Sequence, residues 1–376
     1  VVIENNIIDS NVCISKYEYA WGAGIGISCN SRIVNNVISN NTSKGIANSA
    51  AVGGGIASGQ EPSWLTPVFV IIENNEIVNN ITQSLNNYAN SAGVLVSCEQ
   101  ARFSNNLLKN NHVISGLTDQ GGAAGLFLLQ PDPGSVVNSN IFKENFSDVY
   151  SGGLCLENSV IVDNKVLVEN NYFINNEANK GGAFVTFSVP VILLNNVFSG
   201  NHADQSGGAA FLSRNSVLPV GHLATFINNS FSGNSATTAG GAILSLHSKP
   251  LIINSVFWGD SSAIGREISL VFYTDTVEIA NSTIFPTYIS GNFFDGGGNL
   301  NDDPMFLDPV LLTLSPSSYA INAGTKAYTC HCGMQHSCPA FDILGLPRPW
   351  GSSYADMGAY EFTDFTVIDD FGFTIS

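Results

Sequence analysis

The densest group of reactive side chains in the sequence is Cys330-His331-Cys332, His336 and Cys338. Three thiolates and an imidazole suit tetrahedral zinc, yet C-x-C-x₅-C departs from the paired C-x₂₋₄-C spacing of structural zinc sites. Seven cysteines is an odd number, and crowding on one loop suits a local bridge in an oxidising compartment. A disulfide among Cys330, Cys332 and Cys338 is therefore expected, with Cys338 as one partner. Glycoside cleavage needs two carboxyl groups about 5 to 9.5 Å apart. Glu4, Glu73 and Glu169 all precede Asn-Asn, but they lie one or more repeats apart, which makes them solvated turn residues. Lys143 with Glu144, and Asp163 with Lys165, lie near one another in adjacent copies and read either as an acid and base on one face or as isolated surface charges, and Arg102 lies between the glutamate positions. His112, His202, His222 and His247 fall at different phases and form no metal-binding pattern. No catalytic residue, metal or cofactor is expected.

Composition narrows what elements can carry these residues. Among 376 residues there are 43 Asn and 37 Gly, while charged residues make up only 11%. Such a chain supplies turns throughout and starves helical surfaces of Glu, Lys and Arg. A net charge of −17 with 13 Lys plus Arg repels a phosphate backbone, which excludes nucleic acid as a partner. No apolar run reaches the roughly 18 residues of a membrane-spanning helix.

An internal repeat decides the fold. ENNIIDSN, VNNVISNN, ENNEIVNN, SNNLLKNN, NSNIFKEN, ENNYFINN, LNNVFSGN, NNSFSGN and NSVFWGD recur from Asn5 to Asp260. Segments such as Gly53-Gly54-Gly55-Ile56 and Gly181-Gly182-Ala183-Phe184 follow and are expected as small-residue strands. Apolar residues come in short period-two pieces between Asn-Asn and Gly-Gly, which fits strands turning corners. Units of this size must stack on their neighbours to bury an inner face. The expectation is an all-β, single-stranded, right-handed parallel β-helix of roughly ten coils over residues 1–298. An irregular capping region over 299–362 and an acidic-aromatic tail over 363–376 complete it. Phe142, Phe173, Phe198, Phe231 and Phe257 should stack inside as a ladder, with Asn lining the corner before them.

The paired motifs F-x-x-N, at Phe173 to Asn176, Phe198 to Asn201 and Phe231 to Asn234, each followed by G-G-A, resemble the repeats of right-handed β-helix surface proteins, including polymorphic outer-membrane adhesins. Residues 303–309, 315–324, 342–349 and 356–362 are similar in order to the C-terminal signature of choice-of-anchor Q β-helix proteins. This resemblance implies a secreted or surface-anchored protein and assigns no catalytic residue to the signature. As physical chemistry, the C-terminal blocks read as a lid over exposed strand edges. Within it Arg348 is expected to form an ion pair with Asp342, Asp356 and Glu361.

Sequons at Asn40, Asn41, Asn80, Asn145, Asn228 and Asn281 mark candidate glycosylation sites. Cys29 and Cys98 share a phase two coils apart, too far to bridge. Tyr17, Tyr19, Trp21, Trp64 and Trp258 are expected to pack on the solenoid flank, with a glycan-binding strip as the alternative. Val1 to Ile8 already carries a full repeat phase, so a preceding segment or a second copy is expected to cover that end. The functional expectation is an extracellular structural or adhesive module, non-catalytic and glycan-associated. A polysaccharide lyase or glycoside hydrolase is the alternative.

Overall fold

The computed structural model describes residues 1–59, 69–97, 100–117, 121–132, 134–158, 165–214, 222–272 and 274–363. Trp64, Cys98, Asp163 and the tail from 364 onward lie outside the described residues. The chain forms a parallel β-helix: sheets of 11, 9, 8 and 10 strands make four faces, each strand pairing in parallel with the equivalent strand one coil away. In the first coil the faces begin with Val2–Glu4, Ile7–Asp9, Val12–Ser15 and Ile25–Ile27. No helix among the described residues is long and apolar enough to cross a membrane.

The Asn-Asn dipeptides make the corners, and the two residues do different work. The first takes the left-handed backbone conformation, as Asn74 (φ 55°) and Asn175 (φ 51°) do, where a short amide side chain is tolerated. The second points inward and, from the second coil on, is buried. Asn176 Oδ1 accepts from the N–H and the Nδ2 of Asn145, at 3.2 and 2.9 Å, while its own Nδ2 donates to Phe142 O at 2.8 Å and Asn201 Oδ1 at 3.0 Å. Repeated coil after coil, this gives one ladder from Asn6 through Asn36, Asn75, Asn106, Asn140, Asn171, Asn196 and Asn229. A second runs from Asn11 through Asn41, Asn80, Asn111, Asn145, Asn176, Asn201 and Asn234.

Between the two corners the second face carries the inward stack. Phe142, Phe173, Phe198, Phe231 and Phe257 lie ring on ring at 4.5 to 4.8 Å with interplanar angles of 1 to 6°. The centroid spacing matches the distance between paired strands. In the earlier coils the same position holds Ile8, Ile38, Ile77 and Leu108, so the stack is aliphatic first and aromatic later.

Two expectations are corrected. Gly53 (φ 61°) and its neighbours form the bend before the fourth face, and the strand starts only at Ile56. At Gly55 a Cβ would come within 2.6 Å of Gly93 O, so glycine is required by the close approach of successive coils. Residues 299–362 do not form a lid over the solenoid end but turn back along its flank, where Leu312, Ile343 and Tyr360 cover Ile141, Tyr172, Ile174 and Val197. Tyr360 Oη meets Tyr172 Oη at 3.0 Å, and Asn228 Nδ2 donates to Asp356 O at 2.9 Å. Outward Ile141, Tyr172, Ile174 and Val197 are apolar and need covering. Ile289 and Phe293, from the last turns of the helix, pack against the interior core.

Replacing Phe198 by Ala should cost about 3 to 5 kcal/mol, because rings fixed by ladders above and below cannot close on the cavity. Chemical denaturation measures it, and a loss under about 1 kcal/mol would contradict the stacked interior.

Candidate functional site

Between the third and fourth faces the coil bends sharply and leaves a concave elbow on the outside of the solenoid. What fills the elbow varies along its length. In later coils Tyr150, Phe187 and Phe211 pack into it, with Tyr150 and Phe187 edge to face at 4.9 Å. Toward the N-terminal end the outward rows contain small residues instead: Gly26 and Ala57 precede Leu95 and Phe127 in one row, and Gly59 and Ser97 precede Leu129 in the next.

The result is a cleft of about 290 Å³ lined by Tyr19, Trp21, Ser28, Val52, Gly59, Tyr88, Asn90, Leu95, Ser97 and Leu129. Register explains how distant residues meet there. Tyr19 pairs with Ala50, and Ala50 is followed in the next coil by Tyr88, so a small residue separates two tyrosines whose rings approach to 6.2 Å. In the neighbouring row Trp21 pairs with Val52, and Val52 with Asn90. A Cβ at Gly26 would stand 3.2 Å from Trp21 Cδ1, so the glycine makes room for the indole. None of the described lining residues is charged. Asn90 Oδ1 is buried and accepts no hydrogen bond, although a buried acceptor normally finds a donor. Aromatic faces and small hydroxyls give the cleft an amphipathic wall.

The charged residues singled out in the sequence do not gather into a site. Glu73 pairs with Arg102 at 3.1 Å and accepts from Ser104, Glu169 accepts from Asn138 Nδ2 at 2.6 Å, and Glu4 lies two coils from Glu73 with Val34 between. Lys143 and Lys109 both reach Glu144, at 3.7 and 3.6 Å, and Lys165 Nζ reaches Thr225 Oγ1. His112 lies against Phe146 and His247 stacks on Phe272. Tyr17 is 83% exposed outside the cleft, and Trp258 packs on Phe285.

In the C-terminal region Arg348 pairs with Glu361 at 3.0 Å, both side chains fully buried, and donates to the carbonyls of Asp356 and Ala359. The expected partners Asp342 and Asp356 do otherwise. Asp342 accepts the N–H groups of Leu344, Leu346 and Glu361, and Asp356 those of Asn322 and Phe362, so both tie loops rather than the guanidinium. Burial pushes all three carboxyls above their ordinary range, opposed by these hydrogen bonds and by the Arg348 charge.

Sequons are corrected likewise. Asn41, Asn80 and Asn145 are buried rungs of the second ladder, and Asn228 is buried against the C-terminal segment, so none of the four offers its amide to a glycan. Asn40 is exposed and Asn281 half-buried. Cysteine pairing differs too: Cys330 bonds Cys332, with Cα atoms 5.2 Å apart, and Cys338 is free. Hairpin Ala327–Thr329 with Gln335–Ser337 places Cys338 beside Lys326, four residues along the strand from Cys330 and so about 13 Å away at a strand's rise. Cys29 is free.

A buried acidic pair escaped the sequence. The second ladder ends at Asp260, whose Oδ1 accepts from Asn234 N and Nδ2 at 2.7 and 2.8 Å. Asp260 Oδ2 and Glu267 Oε2 are both buried without a partner outside the pair. Burial pushes both carboxyls up, and the neighbouring Asp260 charge raises Glu267 further. The signal was the change from Asn to Asp in NSVFWGD.

No family model matches the sequence, and no curated protein matches it closely enough to count as a relative.

A raised pKa means that the folded chain keeps a proton the unfolded chain releases. Between pH 7 and 8.5 Glu267 should therefore make stability fall as pH rises, by up to about 1.4 kcal/mol per unit. Glu267→Gln should flatten this slope in thermal melts, and an unchanged slope would show that the pair holds no proton.

Proposed function

We propose that this chain is a non-catalytic β-helix module of an extracellular surface protein or fibre, and that its elbow cleft binds neutral glycans. The observation that carries the reading is the cleft walled by Tyr19, Trp21 and Tyr88, with Ser28, Asn90 and Ser97 also in its lining. Sugar rings present C–H faces that stack on aromatic rings and hydroxyls that bond small polar side chains. A uronate polymer fits poorly, because the described lining residues include no cation and the chain carries a net charge of −17. The separation of Glu4, Glu73 and Glu169 along the solenoid favours binding over cleavage. Similarity of the C-terminal blocks to surface-anchored proteins supports the extracellular placement.

Calorimetric titration with neutral gluco-, manno- and galacto-oligosaccharides tests the proposal. At least one should bind, Trp21→Ala should weaken it by about tenfold or more, the value of one lost aromatic contact, and the sugar should be recovered intact. Absence of binding across the panel, or turnover abolished by a change at Arg102 or Lys143, would overturn it.

A further inference from the structure

A second constellation lies where the C-terminal hairpin crosses the outside of the first face. His222 Nε2 is 3.7 Å from Cys332 Sγ, and the ligand atoms of His222, Cys330 and Cys332 all lie within 4.8 Å of one another. The tautomer of His222 follows from its other nitrogen. Nδ1 is 2.6 Å from Lys249 O, which can only accept, so Nδ1 carries the proton and the Nε2 lone pair faces the sulfurs. A backbone carbonyl orienting the far nitrogen is the usual outer support of a metal-bound imidazole.

The loop carrying the sulfurs is held as firmly. Glu278 Oε1 accepts the His331 N–H at 2.7 Å and the Tyr328 hydroxyl at 2.8 Å, fixing both sides of Cys330. The Gly333 N–H donates to Cys330 O and the Cys330 N–H to Met334 O, closing the turn. Zinc–sulfur and zinc–nitrogen bonds of about 2.3 and 2.0 Å at a tetrahedral angle put sulfur and nitrogen about 3.5 Å apart. The observed 3.7 Å between Cys332 and His222 is that separation.

We propose that Cys330, Cys332 and His222 form a thiol-switched zinc site. In the oxidised chain Cys330 and Cys332 share the disulfide and coordinate nothing. A dithiol reductant supplies two electrons and two protons, breaks the sulfur–sulfur bond and leaves as its own cyclic disulfide. Zn²⁺ then displaces the two thiol protons to solvent and is held by two thiolates and His222 Nε2, with water completing the tetrahedron. Cys332 is exposed, so both reductant and ion can enter.

The full chain, oxidised or reduced with a dithiol that is then removed, is titrated with Zn²⁺ against a chromophoric chelator. A Cys330→Ser, Cys332→Ser double variant sets the background from the other cysteines. The reduced wild type should bind one more ion per chain than this variant, at least about a hundredfold tighter than the oxidised protein. His222→Ala should weaken that ion by at least about tenfold, with circular dichroism confirming the fold, and Co²⁺ should show thiolate charge-transfer absorption only in the reduced wild type. Equal binding by the oxidised and reduced chains, or by His222→Ala and wild type, would overturn the proposal.

Discussion

A carboxamide buried in an apolar wall needs two acceptors for its hydrogens and donors for its oxygen, or it costs stability at every unmet position. In this protein the inward Asn meets that need through the equivalent Asn of the adjacent coils together with backbone carbonyls. Asn176 accepts twice from Asn145 and donates once to Asn201 and once to Phe142 O. A slip of one residue would strand two amides per coil and turn the phenylalanine stack outward. The aromatic spacing, the left-handed corner residues and the parallel pairing of the four faces follow from that constraint.

A ladder must also end, and its ends shape the chemistry. The first passes to Ser255, Ser282 and Asn299, whose side-chain oxygens accept the same backbone N–H without demanding a further amide. The second stops at Asp260, which accepts but cannot donate, beside Glu267, whose carboxyl is pushed up by burial and by the Asp260 charge. Faces locked in register make the outside of the solenoid a set of straight rows. A small residue in a row opens a hollow and a large one fills it, which is why the cleft lies beside Gly26, Ala57 and Gly59 and closes where Tyr150 and Phe187 begin.

The β-helix was legible because its signals are local and repeated: Asn-Asn, a phenylalanine two residues later, Gly-Gly. The division of labour within Asn-Asn was not, since the same residue type serves a strained backbone in one position and a buried amide in the next. That division also hid the fate of Asn41, Asn80 and Asn145, which match a sequon and are buried. Tyr19 and Tyr88 could be joined only by counting register through Ala50, and His222 meets Cys332 across 110 residues with no repeat to align them. The flank position of residues 299–362 was readable in principle from outward Ile174, apolar in a row where other coils place Asp9, Ser39 and Lys109.

The most direct test of the central claim compares the two halves of one dipeptide. Asn175→Gly keeps the left-handed corner and should change unfolding free energy by a few tenths of a kcal/mol. Asn176→Ala leaves Phe142 O and the Asn145 amide without partners in a buried wall and should cost at least about 3 kcal/mol. Equilibrium denaturation of the two variants showing that contrast would establish the inward amide as the element that sets the fold. Equal and small losses would contradict it.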